Sequence, residues 1–145
     1  NLILFSSPYV FNTTIASVLG RPLNPQAAAE AVIILSSSLS KLESFWPKGN
    51  GCFMLGGNQL SIADLSLVCE IMQLEVLDEK DHAMLLGPHK KVQQWIENTR
   101  NATSPHFDEV HRVLVKVKEI LQNRRLKAAK NEGGSDMKKA LPSRM

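Results

Sequence analysis

Residues 56–77 read GGNQLSIADLSLVCEIMQLEVL, an apolar run with two polar side chains, Ser61 and Asp64, at its head. Behind them, Leu65, Leu67, Val68, Cys69, Ile71, Met72 and Leu74 cover most of a helical circumference. That distribution predicts a helix buried on nearly all sides, with Cys69 as a small core residue. The first N–H groups of such a helix have no acceptor in the helix and no water, and each orphan costs about 1–3 kcal/mol. The spacing supplies the remedy. Ser61 as N-cap accepts from the N–H of Asp64, and the Asp64 carboxylate reaches back to the N–H of Ser61, a capping box with aspartate in the position more often held by glutamate. Leu60 and Leu65 are placed for the accompanying hydrophobic staple. A reading of the pair as nucleophile and base fails, because no histidine stands near in sequence and capping occupies both side chains.

Helical spacing continues on both sides. Ser7-Pro8 reads as N-cap and first helical residue, with Phe11, Ile15 and Val18 on one face and Gly20 as the stop. Asn24-Pro25 repeats the signal ahead of a stripe of Ala28, Ala31, Leu35, Leu39, Leu42 and Trp46, ending before Pro47. The glycine-rich PKGNGCFMLGGNQ reads as a loop that tucks Cys52, Phe53, Met54 and Leu55 under the bundle. After a charged connection, DEKDHAMLLG, Pro88 opens a helix carrying Val92, Trp95, Ile96 and Thr99. Ser104-Pro105 opens another with Phe107, Val110, Leu114, Val117 and Leu121 on one face, Asp108 and Glu109 in its first turn and Arg124 and Arg125 in its last, the order the helix dipole favours. Nowhere does strand-like alternation persist. The expected fold is all-α: five or more helices bundled around a buried central one over residues 1–128, followed by a mobile basic tail at 129–145.

Charge and composition exclude several functions. The net charge of +3 is uneven: residues 124–145 carry seven basic and two acidic side chains, leaving a nearly neutral body that argues against nucleic acid as a partner. No apolar run approaches the roughly 18 residues that would span a bilayer, so no membrane segment is expected. Two cysteines outside any CxxC pair suit a reducing compartment, and four histidines without ligand spacing predict no metal site. The chain opens on Asn1 without methionine or a signal-peptide pattern, which suggests a fragment.

GGNQLSIADLSLVCEIMQLEVLD, followed by HKKVQQWIENTRNATSPHFDEVHRVL, resembles the C-terminal helical domain of plant theta-class glutathione transferases, and YVFNTTIASVLGRPLNPQAAAEA resembles that family's fourth helix and the turn into the fifth. The resemblance implies conjugation of the glutathione thiolate to apolar electrophiles, or reduction of organic hydroperoxides, in detoxification. It also implies glutathione as co-substrate, held mainly by a thioredoxin-like N-terminal domain that also supplies the thiol-activating serine. Residues 1–145 show no βαβ pattern, so no catalytic residue is expected in this chain and the chain by itself is expected to be inactive. The helical domain's share would be an apolar pocket wall, here Phe11 and Ile15, for which plain core packing is the competing reading. Homodimers are implied for the full-length parent. Two departures stand out. Ile3 and Leu4 replace a family Arg-Arg, and Pro8 falls where the family's fourth helix should be running and is expected to break or delay it.

The terminal tripeptide Ser143-Arg144-Met145 is similar to peroxisomal addresses of the S-K-L type, read by an import receptor, which makes peroxisome or cytoplasm the expected location. The alternative to a pocket domain is a non-catalytic helical interaction module, which would present an exposed apolar face to a protein partner.

Overall fold

A computed structural model describes residues 6–45, 51–54 and 56–138, with side chains through 131 apart from Phe45. Trp46, Leu55, the first five residues and the terminal tripeptide lie outside the described residues. In chain order the elements are α1 (Ser6–Val10), a π-helical turn (Phe11–Ile15), α2 (Ala16–Val18), α3 (Pro25–Phe45), α4 (Ile62–Met72), a 3₁₀ turn (Gln73–Val76), α5 (Glu79–Leu86), α6 (Lys90–Thr103) and α7 (His106–Lys138). No strand occurs among the described residues.

The apolar stripe of α3 makes one wall of the core, with Leu35 and Leu39 fully buried. Val68 and Ile71 of α4, Leu74 and Leu77 just after it, and Val92 and Trp95 of α6 close the same cluster, and α7 adds Phe107 and Leu121. Each such side chain contributes about 1.5–3 kcal/mol by leaving water.

Local chemistry sets the ends of several helices. Asn24 caps α3, its Oδ1 accepting from Ala27 N–H at 3.0 Å. Behind α2, Gly20 adopts φ 69°, which only a residue without Cβ enters freely. Arg21 N–H then donates to the Ala16 carbonyl at 2.8 Å and Gly20 N–H to that of Ser17 at 3.2 Å, the paired bonds of a Schellman ending.

Other expectations need correction. Ser7 is not an N-cap: Ser6, Ser7 and Pro8 all lie within the helical backbone of α1, so Pro8 does not delay the helix. Ser104 closes α6 instead of capping α7. The connection after Leu77 is itself a helix, α5, because Asp78 accepts from Asp81 N–H at 2.8 Å and caps it. Helix α7 runs on to Lys138, past the point near Lys127 where apolar periodicity fades.

Burial of α4 is one-sided. Asp64, Val68, Ile71 and Met72 face inward, whereas Ile62 is 84% exposed, Leu65 41%, and Cys69 is exposed and not a core residue. An apolar circumference predicts burial only where neighbours cover every side, and among the described residues they cover one.

Candidate functional site

At the head of α4 the capping box is complete. Asp64 N–H donates to Ser61 Oγ at 3.3 Å, and Asp64 Oδ2 accepts from Ser61 N–H at 2.9 Å and from the Ser61 hydroxyl at 2.5 Å. The other carboxylate oxygen, Oδ1, accepts from Met54 N–H at 2.8 Å and from the Trp95 indole N–H at 2.7 Å. Asp64 is 0% exposed. Burial pushes its acidity toward the neutral form, and the Ser61, Met54 and Trp95 bonds outweigh that and hold it below the ordinary carboxylate range. The group therefore ties loop, α4 and α6 together, with both oxygens committed to the fold and none open to a substrate.

Phe11 and Ile15 line one open cavity of about 410 Å³ together with Ser7, Pro8, Val10 and Gln73. Phe11 is 36% exposed and Ile15 half-buried. The cavity's edge is fixed by polar stitching: the Ser7 hydroxyl donates to Gln73 Oε1, and Gln73 Nε2 donates to Glu70 Oε2 at 3.1 Å. The structure thus brings the two sequence-predicted pocket residues to a shared apolar surface and keeps it away from the Asp64 hub.

Both residues belong to the π turn, which sequence reasoning missed. A π turn widens the helix, and such turns are frequent at functional sites. Here side chains bond back to neighbouring carbonyls: Asn12 Nδ2 donates to Pro8 O at 2.8 Å, Thr13 Oγ1 to Tyr9 O at 2.7 Å and Ser17 Oγ to Thr14 O at 2.8 Å. The signal was present as Asn12-Thr13-Thr14, three residues whose side chains compete for backbone bonds in mid-helix. Tyr9, just before the turn, has its phenol pushed above the ordinary range by burial and by the negative charges of Asp81 and Asp78.

A second cluster joins three elements. Glu75 of the 3₁₀ turn accepts from His82 of α5 at 3.0 Å and from Lys118 of α7 at 2.9 Å. The His82 bond, working against partial burial and joined by Lys118, holds Glu75 down at about 2. Nearby, Arg100 pairs with Glu97 and Asp108 and lies 5.0 Å from the centre of the Phe107 ring. Glu75, Arg100, Asp108, His111 and Lys118 border a cavity of about 520 Å³, and His111 Nδ1 donates to the Phe107 carbonyl at 2.8 Å. With its charged groups paired to one another, this cluster fastens helices together.

Glutathione S-transferase T1 of Arabidopsis thaliana is 62% identical to this chain over 125 residues, a match that covers 86% of this chain. Over most of its length the chain is similar to plant glutathione S-transferases of the T type. Glutathione S-transferase T2 of the same plant is 59% identical over 133 residues and T3 is 58% identical over 130, covering 92% and 90% of this chain. The chain spans about half of T1, at 51% of its length, and 22% of T2 and of T3. No protein-family model matches it. No solved structure does either.

Proposed function

We propose that this chain is the C-terminal, electrophile-pocket part of a glutathione-conjugating enzyme, with Phe11 and Ile15 as the apolar wall. The carrying observation is that both side chains line one open apolar cavity instead of vanishing into the core. The similarity to glutathione S-transferases T1, T2 and T3 supports the transferase reading. In the conjugation the glutathione sulfur forms a bond to an electrophilic carbon, and a leaving group such as chloride departs with the bonding electrons. Thiolate formation falls to residues outside these 145, and this chain's share is to desolvate and orient the electrophile. The test joins this chain to the portion of T1 that the match leaves uncovered and assays 1-chloro-2,4-dinitrobenzene and cumene hydroperoxide. The fusion is expected to turn over at least one of them, with Phe11→Ala raising KM more than it lowers kcat. Turnover by the 145 residues alone, or a Phe11→Ala fusion with unchanged KM, overturns the reading.

The competing reading, a docking module without chemistry, is favoured by the uncovered apolar side chains of α4 and α7, among them Ile62, Leu65, Val110 and Val113. An inactive fusion of correct fold decides for it. Location is a separate part of the proposal: Ser143-Arg144-Met145 directs the chain to peroxisomes. A fluorescent protein carrying residues 129–145 at its C-terminus is expected to show punctate peroxisomal signal, lost when Met145 is followed by one added residue.

A further inference from the structure

On the other side of the π turn from Phe11, α7 and the first helical segment border an open cavity of about 270 Å³. Its polar edge is Thr13, Thr14, Arg124 and Arg125, and its apolar floor is Val18 and Leu121. Arg124 is exposed and Arg125 half-buried, and neither forms an ion pair among the described residues. Thr14 is 8% exposed. Because the Thr13 hydroxyl already donates to Tyr9 O at 2.7 Å, Thr14 is the donor of the Thr13–Thr14 contact, and at 3.4 Å that is a poor use of its proton. Two planar guanidinium forks and one under-used hydroxyl donor beside an apolar floor make a set suited to an oxyanion that carries a short hydrocarbon tail. Arg125 also lines a second cavity, of about 400 Å³, whose carboxylates are Asp78 and Glu79, and forms no ion pair with either.

We propose that this cavity is an anion site, distinct from the Phe11 pocket, that takes a small carboxylate or phosphate group bearing a short aliphatic chain, its oxygens held by Arg124, Arg125 and Thr14. The test titrates the full 145-residue chain with sodium hexanoate and, separately, with inorganic phosphate, following backbone amide resonances. Saturable shifts at Thr13, Thr14 and Ser17, tighter for hexanoate than for phosphate, are expected. The double change Arg124→Gln with Arg125→Gln should weaken hexanoate by about ten-fold or more, as loss of charge-assisted bonds requires. Arg124→Gln alone, at an exposed position, guards against a folding defect and should weaken binding in the same direction. Thr14→Val should weaken it by about three-fold or more. Shifts that grow linearly and match those from sodium chloride, or an affinity unchanged in the double variant, overturn the proposal. None of these readouts depends on transferase activity.

Discussion

Trp95 donates its indole N–H to Asp64 Oδ1 at 2.7 Å, joining the middle of α6 to the first turn of α4 inside the core. Asp64 is thus at once a helix cap and a cross-helix anchor. Removing its carboxylate strands the N–H groups of Met54 and Ser61 and takes this acceptor from Trp95. Asp64→Ala is therefore expected to cost about 3–5 kcal/mol, a large share of the total stability of a domain this size. Asp64→Asn, which keeps one acceptor oxygen, should cost less, and Ser61→Ala only about 1 kcal/mol. Urea unfolding of the three variants checks the order, and equal losses for Asp64→Ala and Ser61→Ala would remove the anchor role.

The Glu75 cluster predicts acid sensitivity. With its folded pKa near 2, below the unfolded value of about 4.3, Glu75 contributes stability that is fully present above pH about 5 and lost as pH falls toward 2. Asp64 is depressed as well and acts in the same direction. Since Glu75 is 30% exposed, its share after solvent screening is about 1 kcal/mol. Glu75→Gln should flatten the fall in melting temperature between pH 4 and pH 2 relative to the parent chain.

Glu43 of α3 caps a helix that is remote in sequence. Its two oxygens accept from the N–H groups of Lys91 and Val92 at 3.0 Å each. Glu43→Ala should destabilise the chain by about 1–2 kcal/mol and speed amide exchange in the first turn of α6. Unchanged exchange at Lys91 and Val92 would argue against the cap.

Stability also separates a pocket wall from a core residue. Leu35→Ala, at a site with 0% exposure, is expected to cost about 2–5 kcal/mol. Phe11→Ala, at 36% exposure, should cost about 1 kcal/mol or less. Similar losses at the two positions would return Phe11 to the core.

Both cysteines should be open to reagent. Cys52 and Cys69 are exposed, so Ellman's reagent should titrate two thiols per chain without denaturant. A Cys69 thiol that reacts only in urea would restore the fully buried helix that the apolar run suggested.

What the sequence by itself determined lies within a few residues of each signal. The Ser61–Asp64 box, the Asn24 cap and the Gly20 stop each work through bonds spanning five residues or fewer, so residue type and spacing are enough to read them. The stripe of α3 was legible for the same reason, since its period is set by the helix itself. Where several weak local signals compete, as in Asn12-Thr13-Thr14 or around Asp78, the reading failed: it missed a π turn and took a capped helix for a connection.

Only the tertiary structure decided which partners meet across the chain. Asp64 finds Met54 and Trp95 at separations of 10 and 31 residues, and Glu43 reaches Lys91 across 48. No periodicity encodes such meetings, because they depend on how whole helices cross. The same holds for exposure: Leu65 and Val68 are both apolar residues of one helix, yet one is 41% exposed and the other 1%. Hydrophobicity states that a side chain gains by leaving water, and packing alone settles whether a neighbour stands there to cover it.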